Sequence, residues 1–121
     1  MVKVELDQSR NLFIIRYSDH VGPEQTERAL VDVRLTLDKV GRGFRLLADL
    51  FHLQSMDVLC APHIENAMDL FNGKGVSEII RIIPDPRRDI GLQIMSYFHY
   101  SGDVRIVTCE SMDEAMNLLA K

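Results

Sequence analysis

The densest group of reactive side chains lies in the segment 55–63, whose sequence is SMDVLCAPH. Pro62 is predicted to open a helix, so Cys60 would lie at a helix N-terminus, where unpaired N–H groups and the helix dipole favour the thiolate form of a cysteine. His63 follows three residues later and could assist such a thiolate. The segment therefore supports one chemical hypothesis, a thiol-dependent or redox-responsive protein that uses Cys60.

The same residues also have a structural interpretation, which we favour. When the helix is extended backwards, Cys60 falls on the side of Ile64 and Phe71, the predicted core side, where a free cysteine packs as a small apolar residue. Asp57 would then be a capping residue, because carboxylates accept hydrogen bonds from the free N–H groups of a loop or helix start. On this interpretation the segment begins a helix and carries out no reaction.

Three more charged residues stand out by their positions. Asp49 lies inside a predicted central strand, where aspartate is depleted, so it would either organise the loop at the strand's carboxyl end or serve the function. Arg87 and Arg88 are predicted in the first turn of a helix, where basic side chains oppose the dipole and suggest a bound anion or an acidic partner. A solvated surface pair is the favoured alternative for the two arginines.

Complete catalytic or metal-binding motifs are missing from the sequence. Cys60 and Cys109 form no CxxC pair and the four histidines form no HxxxH spacing, so we expect neither a disulfide nor a metal site. There is no Walker A loop, no GxGxxG and no GxSxG either. We therefore expect a protein that is not an enzyme and that needs no cofactor.

Length and composition indicate one ordinary domain. The chain has 121 residues, 46% hydrophobic and 26% charged, with a formal charge of −4. Domains usually span about 100–200 residues, and the mild acidity argues against a nucleic-acid surface. No apolar run approaches the roughly 18 residues of a membrane span, and the alternation in Val2–Asp7 lacks the apolar middle of a secretion signal. We expect a cytoplasmic protein with no membrane span.

Hydrophobic periodicity predicts the element order β-β-α-β-α-β-α-β-α. A short turn joins the first two strands, which must then be antiparallel, whereas a helix between each later pair makes those strands parallel. The predicted fold is α/β, a single domain over residues 1–121 with a mostly parallel five-stranded sheet in the order 1-2-3-4-5 and one antiparallel edge strand. Ligands of such sheets bind beyond the carboxyl ends of the parallel strands. The predicted strands are 2–6, 12–17, 44–50, 76–83 and 104–108, the predicted helices are 23–40, 62–72, 86–98 and 112–119, and the loops at the carboxyl ends are 50–62, 84–88 and 109–111.

The segment 95–100 concentrates aromatic residues. Its last two residues, His99 and Tyr100, are predicted to point away from the core face of the third helix. A contact with a partner or a second copy of the chain, through His99, Tyr100 and Leu92, is one interpretation. Packing over the next loop is the favoured one.

The order of elements, together with the stretch from Leu46-Leu47-Ala48-Asp49-Leu50 to Ser55-Met56-Asp57, resembles the STAS superfamily. That superfamily contains anti-sigma factor antagonists and the cytoplasmic domains of sulfate transporters, and the likeness is greatest to the sporulation anti-sigma factor antagonists. In these proteins an Asp-Leu step ends a strand, and an Asp-Ser-Ser-Gly or Asp-Ser-Thr-Gly segment begins the next helix. Asp49-Leu50 matches the first feature and Asp57 matches the second acid.

Val58 stands where the resemblance places the regulatory phosphoserine. Valine has no hydroxyl, so a kinase cannot add its charge of about −1.5 to −2 at this position. Ser55 precedes the acid and is a poor substitute. The resemblance implies a non-enzymatic regulatory module that docks a protein partner or a small ligand near residues 50–63. The residues expected to carry this docking are Asp49, Ser55, Asp57, Cys60, His63, Arg87 and Arg88.

Two alternatives stay open beside this hypothesis. One is the thiol-dependent protein described above. The other is a carrier or sensor of a small hydrophobic ligand, which predicts a cavity beside the carboxyl edge of the sheet.

Overall fold

Five strands and three helices form the part of the chain that the structure describes, which is residues 1–83 and 99–121. The structure is a computed structural model. The predicted helix 86–98, which includes Arg87 and Arg88, lies outside the described residues. The strands are β1 (Val2–Asp7), β2 (Leu12–Val21), β3 (Arg45–Met56), β4 (Glu78–Ile82) and β5 (Arg105–Cys109), and the helices are α1 (Pro23–Leu37), α2 (Ala61–Lys74) and α3 (Met112–Leu119).

The strands form one sheet in the order β1-β2-β3-β4-β5. β1 and β2 pair antiparallel through a short 3₁₀ turn, and the three later pairs are parallel. This confirms the predicted α/β class, the sheet order and the antiparallel edge strand. The carboxyl ends of four parallel strands therefore lie at the same edge of the sheet.

Helices cover the two faces of the sheet. Apolar residues from α1 and α2 pack on one face, where the ring of Phe13 meets the ring of Phe71 edge-on at a centroid distance of 5.0 Å. On the other face, the α3 residues Ala115 and Leu119 pack against the strands. Side chains alternate between the two faces along each strand, so β2 to β5 contribute to both cores, whereas β1 contributes apolar residues only to the face covered by α1 and α2.

β2 and β3 continue further than the sequence predicts. Residues 51–56, expected in a loop, pair in parallel with the end of β2, from Ser18–His52 to Val21–Met56. β4 does not follow them, because its last pair with β3 joins Asp49 to Ile82. We call these paired residues, 18–21 and 51–56, the two-stranded extension. The predicted loop 50–62 is therefore mostly strand.

The ends of the helices follow local chemistry. Ser111 caps α3 by accepting a hydrogen bond from the backbone N–H of Glu114 at 3.2 Å, as its Ser-x-x-Glu pattern predicts. α2 ends at Gly75 rather than at the predicted Gly73, because Gly75 has φ +90° and a Cβ there would lie 2.8 Å from Cγ of Arg42. Within residues 1–83 and 99–121, we find no helix with the length and apolarity needed to span a bilayer.

Candidate functional site

The two-stranded extension and the starts of α1 and α2 meet at one edge of the molecule, which we call the carboxyl edge. The backbone N–H of Asp57 donates to the carbonyl of Val21 at 3.0 Å, so the end of β3 is fixed beside the end of β2. α1 begins two residues after Val21, and it contacts the 3₁₀ turn Val58–Cys60 that leads into α2. Regular structure therefore holds this edge in place.

Asp57 shapes the turn that follows β3. Its Oδ1 accepts a hydrogen bond from the N–H of Leu59 at 2.9 Å, and its carbonyl accepts one from the N–H of Cys60 at 3.0 Å. The predicted capping role is confirmed, although the capped element is a 3₁₀ turn directly before α2. The cap leaves the side chains of Val58 and Leu59 pointing outwards.

Val58 and Leu59 form an exposed apolar pair, which we call the apolar tip. The side chains are 86% and 64% exposed, the highest values among the large apolar residues that the structure describes. Sequence reasoning considered these residues only as replacements for a phosphorylated segment. The sequence signal that could have predicted the exposed pair is two adjacent apolar residues directly after a capping aspartate.

Cys60 faces the opposite way from the apolar tip. Its thiol is completely buried, packs with Val21, Ile64 and Met68, and donates to the carbonyl of Val21 at 3.5 Å. His63 is half-buried and lines a narrow gap between α1 and α2. The structure therefore directs the cysteine and the histidine towards different neighbours and agrees with the structural interpretation of Cys60.

Ser55 is exposed in the two-stranded extension. Its Oγ lies 2.7 Å from Nδ1 of His20, the residue that faces it on β2. Sequence reasoning missed this pair because it ended β2 at Tyr17 and treated Ser55 as part of a loop.

Asp49 lies within β3, as predicted, but the strand continues to Met56, so Asp49 does not lie at its carboxyl end. The carboxylate accepts a hydrogen bond from the N–H of Phe51 at 3.0 Å, and its Oδ2 lies 3.4 Å from Nε of Arg16. Arg16 in turn donates to Glu5 at 2.8 Å, so an ion network crosses β1, β2 and β3. Asp49 shares its sheet face with Leu47, away from α1 and α2, and it therefore does not join the residues around Cys60.

An apolar cavity of about 50 Å³ lies between α2 and the sheet. Tyr17, Tyr100 and the buried Arg81 line it together with aliphatic residues, and burial raises the pKa of both tyrosines above the ordinary value. Arg81 donates to Oγ1 of Thr108 at 2.9 Å. Ligand pockets usually measure about 300–1,000 Å³. The size of the cavity therefore does not favour the hydrophobic carrier.

His99 and Tyr100 both contact the rest of the domain. Nδ1 of His99 lies 2.7 Å from the carboxylate of Asp69 on α2, and Tyr100 packs against the core beneath that helix. The expectation that Tyr100 points away from the core is wrong, and these contacts are with α2 and the core instead of with the next loop. In the described ranges, no three His, Cys, Asp or Glu side chains lie close enough together to hold a metal ion.

Three solved structures resemble the chain over almost its whole length. A protein of the DUF3478 family with a SpoIIAA-like fold, from Shewanella loihica, has a TM-score of 0.72 and 14% identity, covering 98% of this chain and 92% of that one. The anti-sigma factor antagonist SpoIIAA in its unphosphorylated form has a TM-score of 0.67 and 15% identity, covering 99% and 98%. An anti-sigma factor antagonist from Mycobacterium paratuberculosis has a TM-score of 0.60 and 11% identity, covering 100% and 96%.

The likeness to these proteins lies in the fold. No family model and no curated protein matches the sequence. Coverage of more than nine tenths on both sides means that the whole arrangement of strands and helices is shared, not one motif. The chain therefore has the SpoIIAA-like fold, as the resemblance to STAS domains predicted.

Proposed function

We propose that this chain is a non-enzymatic regulatory module that binds a protein partner through the apolar tip on its carboxyl edge. The observation that carries the proposal is the exposure of Val58 and Leu59, 86% and 64%, at the start of α2. Two solved proteins with the same fold are named anti-sigma factor antagonists, and such proteins act on another protein. A shared fold alone does not transfer that role, so the exposed pair supplies the argument specific to this chain.

The apolar tip is a favourable anchor for binding. Burying a valine or leucine side chain releases about 1.5–3 kcal/mol, and water already covers most of both side chains before binding. Isolated exposed apolar residues are common on protein surfaces. These two are adjacent, and the hydrogen bond from Leu59 N–H to Asp57 holds their backbone in place. A rigid anchor loses less conformational entropy on binding than a mobile one.

Regulation at the family's usual position does not fit this chain. Val58 has no hydroxyl to accept a phosphate. Ser55 is the nearest serine, and its hydroxyl faces His20 in the two-stranded extension instead of lying in the turn. We therefore propose that partner binding is not controlled by phosphorylation at residue 58.

A double substitution tests the docking surface. We expect Val58→Ser/Leu59→Ser to abolish capture of the partner that the unchanged chain retains, identified by mass spectrometry. The matched control is Val31→Ser/Leu35→Ser, which removes a similar exposed apolar pair, 54% and 60% exposed, from the outer face of α1. Substitutions at exposed positions usually change stability by less than about 0.5 kcal/mol, so both variants should melt close to the parent.

The result that contradicts the proposal is equally specific. If the Val58→Ser/Leu59→Ser variant stays folded and still captures the partner, the apolar tip is not the docking site. If only the α1 variant loses the partner, docking belongs to the outer face of that helix.

A further inference from the structure

In the described residues, the two chain segments next to the apolar tip carry acids, and the first basic residue of α1 is Arg28. Arg87 and Arg88, predicted at the same edge, lie outside the described residues. α1 contacts the Val58–Cys60 turn, which brings the first turns of α1 and α2 to the same edge as the tip. None of the residues 17–27 and 50–66 is lysine or arginine. The acids in these segments are Asp19, Glu24, Glu27, Asp57 and Glu65.

Helix starts account for only part of this charge. A helix N-terminus carries a partial charge of about +0.5, and an acid in the first turn is stabilised there. Glu24 lies in the first turn of α1, and Asp57 accepts the N–H of Leu59. Asp19 lies in β2, and Glu27 and Glu65 lie beyond the first turns of their helices. Among the described residues beside the apolar tip, acids therefore outnumber lysines and arginines.

The opposite edge of the sheet carries lysine and arginine as well as acids. The amino ends of the parallel strands lie there, together with the C-terminal ends of α1 and α2. Two of its basic residues are paired with acids, Arg10 with Asp7 and Arg105 with Glu78. The exposed or half-buried basic residues of that region are Arg10, Lys39, Arg42, Lys74 and Arg105, and the acids are Asp7, Asp38, Glu78 and Asp103. The acidity around the tip is thus a local property, because the chain as a whole carries a formal charge of only −4.

We propose that the partner is a protein with an apolar pocket for Val58 and Leu59 and a rim of lysine and arginine facing the acids of the carboxyl edge. This inference rests on the proposed function, and it adds the chemistry of the partner's surface. An anionic lipid surface or a nucleic acid would be repelled by the same acids. Opposite charges on the two proteins would speed association and fix the orientation of docking.

The experiment begins by identifying the partner on the tip itself. The full chain carries the photoreactive residue p-benzoylphenylalanine in place of Val58, is expressed in its native cells and is irradiated. The covalent adduct is identified by mass spectrometry. The same residue in place of Val31 reports contacts on the outer face of α1.

Association of this chain with the purified partner then tests the role of the acidic residues. We expect Glu24→Lys/Glu27→Lys to slow association by about tenfold, and the parent's rate to fall as NaCl is raised, because salt screens charges over about 8 Å at 0.15 M. Asp32→Lys/Asp38→Lys is the matched control, since it makes the same charge change further from the tip, on α1 and at its C-cap. Its association rate should stay within about twofold of the parent's. Circular dichroism confirms that each variant is folded.

Each outcome separates the two proposals. The absence of an adduct at residue 58 contradicts the proposed function itself. An adduct whose association is insensitive to salt and to Glu24→Lys/Glu27→Lys leaves the docking surface intact and overturns the basic rim. An adduct between two copies of this chain also overturns the inference, because the occupant would then be a second copy and not a basic partner.

Discussion

For Cys60, position in the sequence and burial in the fold favour opposite properties, a reactive thiolate and a packed thiol. It directly precedes the first residue of α2, where the helix dipole favours a thiolate, yet it is completely buried with Val21, Ile64 and Met68. A reactive thiol must be reached by its target, and here the apolar neighbours and the carbonyl of Val21 enclose it. Burial decides the outcome, so the residue packs instead of reacting.

Labelling of the thiols tests this conclusion. We expect both Cys60 and Cys109 to resist iodoacetamide in the folded protein at neutral pH, because both are fully buried and burial raises the pKa of Cys109 to about 11. Both should react at once in denaturant. Mass spectrometry after timed labelling measures each site separately. Rapid modification of Cys60 in the native protein would restore the thiol hypothesis.

Asp7 gives a pH-dependent prediction. Hydrogen bonds from the Ser9 hydroxyl and then from Arg10 lower the pKa of Asp7 from 3.8 to about 2. A carboxylate whose pKa is lower in the folded than in the unfolded state stabilises the fold at pH values above its unfolded-state pKa. This contribution is lost as the pH falls towards its folded-state pKa. Asp7→Asn should therefore be less stable than the parent at pH 7, and the difference should shrink between about pH 4 and pH 2.

Urea unfolding at several pH values measures this difference. Ser9→Ala serves as the matched variant, since it removes the largest cause of the lowered pKa and leaves the carboxylate in place. It should give a smaller difference with the same sign of pH dependence. A gap between Asp7→Asn and the parent that does not change with pH would contradict the assignment.

Among the elements, the two-stranded extension decides the geometry of the carboxyl edge. Irregular register between Arg16 and Ser18 and between Asp19 and His20 twists the end of β2. Asp19 adopts the left-handed region with φ +59°, at the second irregularity. This local bend brings His20 opposite Ser55 and leads the chain into α1.

Substitutions at Asp19 test the bend. Left-handed backbone costs an ordinary residue about 1–2 kcal/mol and is least tolerated by β-branched side chains. We expect Asp19→Val to lower the free energy of unfolding by about that amount, and Asp19→Gly to preserve or raise it. Ser18→Val, one residue earlier in the strand, is the control and should have little effect. Chemical denaturation supplies all three values, and equal losses at both positions would argue against a left-handed Asp19.

The elements show what sequence patterns could and could not predict. β1, α1 and α3 follow clear periodicities and capping signals, and their predicted positions agree with the structure to within a few residues. The extension was missed because its residues, such as His52 and Ser55, are exposed and give no continuous apolar run. Strand pairing in the extension depends on the neighbouring strand, and a local sequence pattern contains no information about that neighbour.

At the scale of the whole molecule, the core and the site use different residues. Phe13, Phe44 and Phe71 hold the sheet to α2 with ring centroids 5.0 to 6.4 Å apart, and each is at most 3% exposed. The apolar tip lies at the other end of α2 from Phe71 and takes no part in this packing. Stability and partner binding are therefore expected to respond to separate substitutions.

One substitution near each end of α2 tests whether stability and partner binding depend on different residues. Phe71→Ala should lower the free energy of unfolding by about 3–5 kcal/mol, a large share of the roughly 5–15 kcal/mol of a small domain. Leu59→Ser should change it by less than about 0.5 kcal/mol. Urea denaturation compares the two, and a large loss for Leu59→Ser would mean that the tip belongs to the core.

The candidate site was only partly predictable at this scale. Asp57 and Ser55 do lie on the carboxyl edge, as the topology rule implies. Asp49 was misplaced, since the true length of β3 puts it inside the sheet with Arg16 as its partner. Helical spacing did place Cys60 on the side of Ile64, and the structure confirms this, although the backward extension of the helix is a 3₁₀ turn.

α2 runs as one continuous helix from the carboxyl edge to the opposite edge of the sheet. The helix begins two residues after Leu59, contains 14 residues and is capped by Gly75, where Arg42 packs closely. A helix of that length is a stiff rod of about 20 Å. A partner bound at the apolar tip would therefore meet the start of one unbroken helix whose far end lies beside Arg42, at the opposite edge of the sheet.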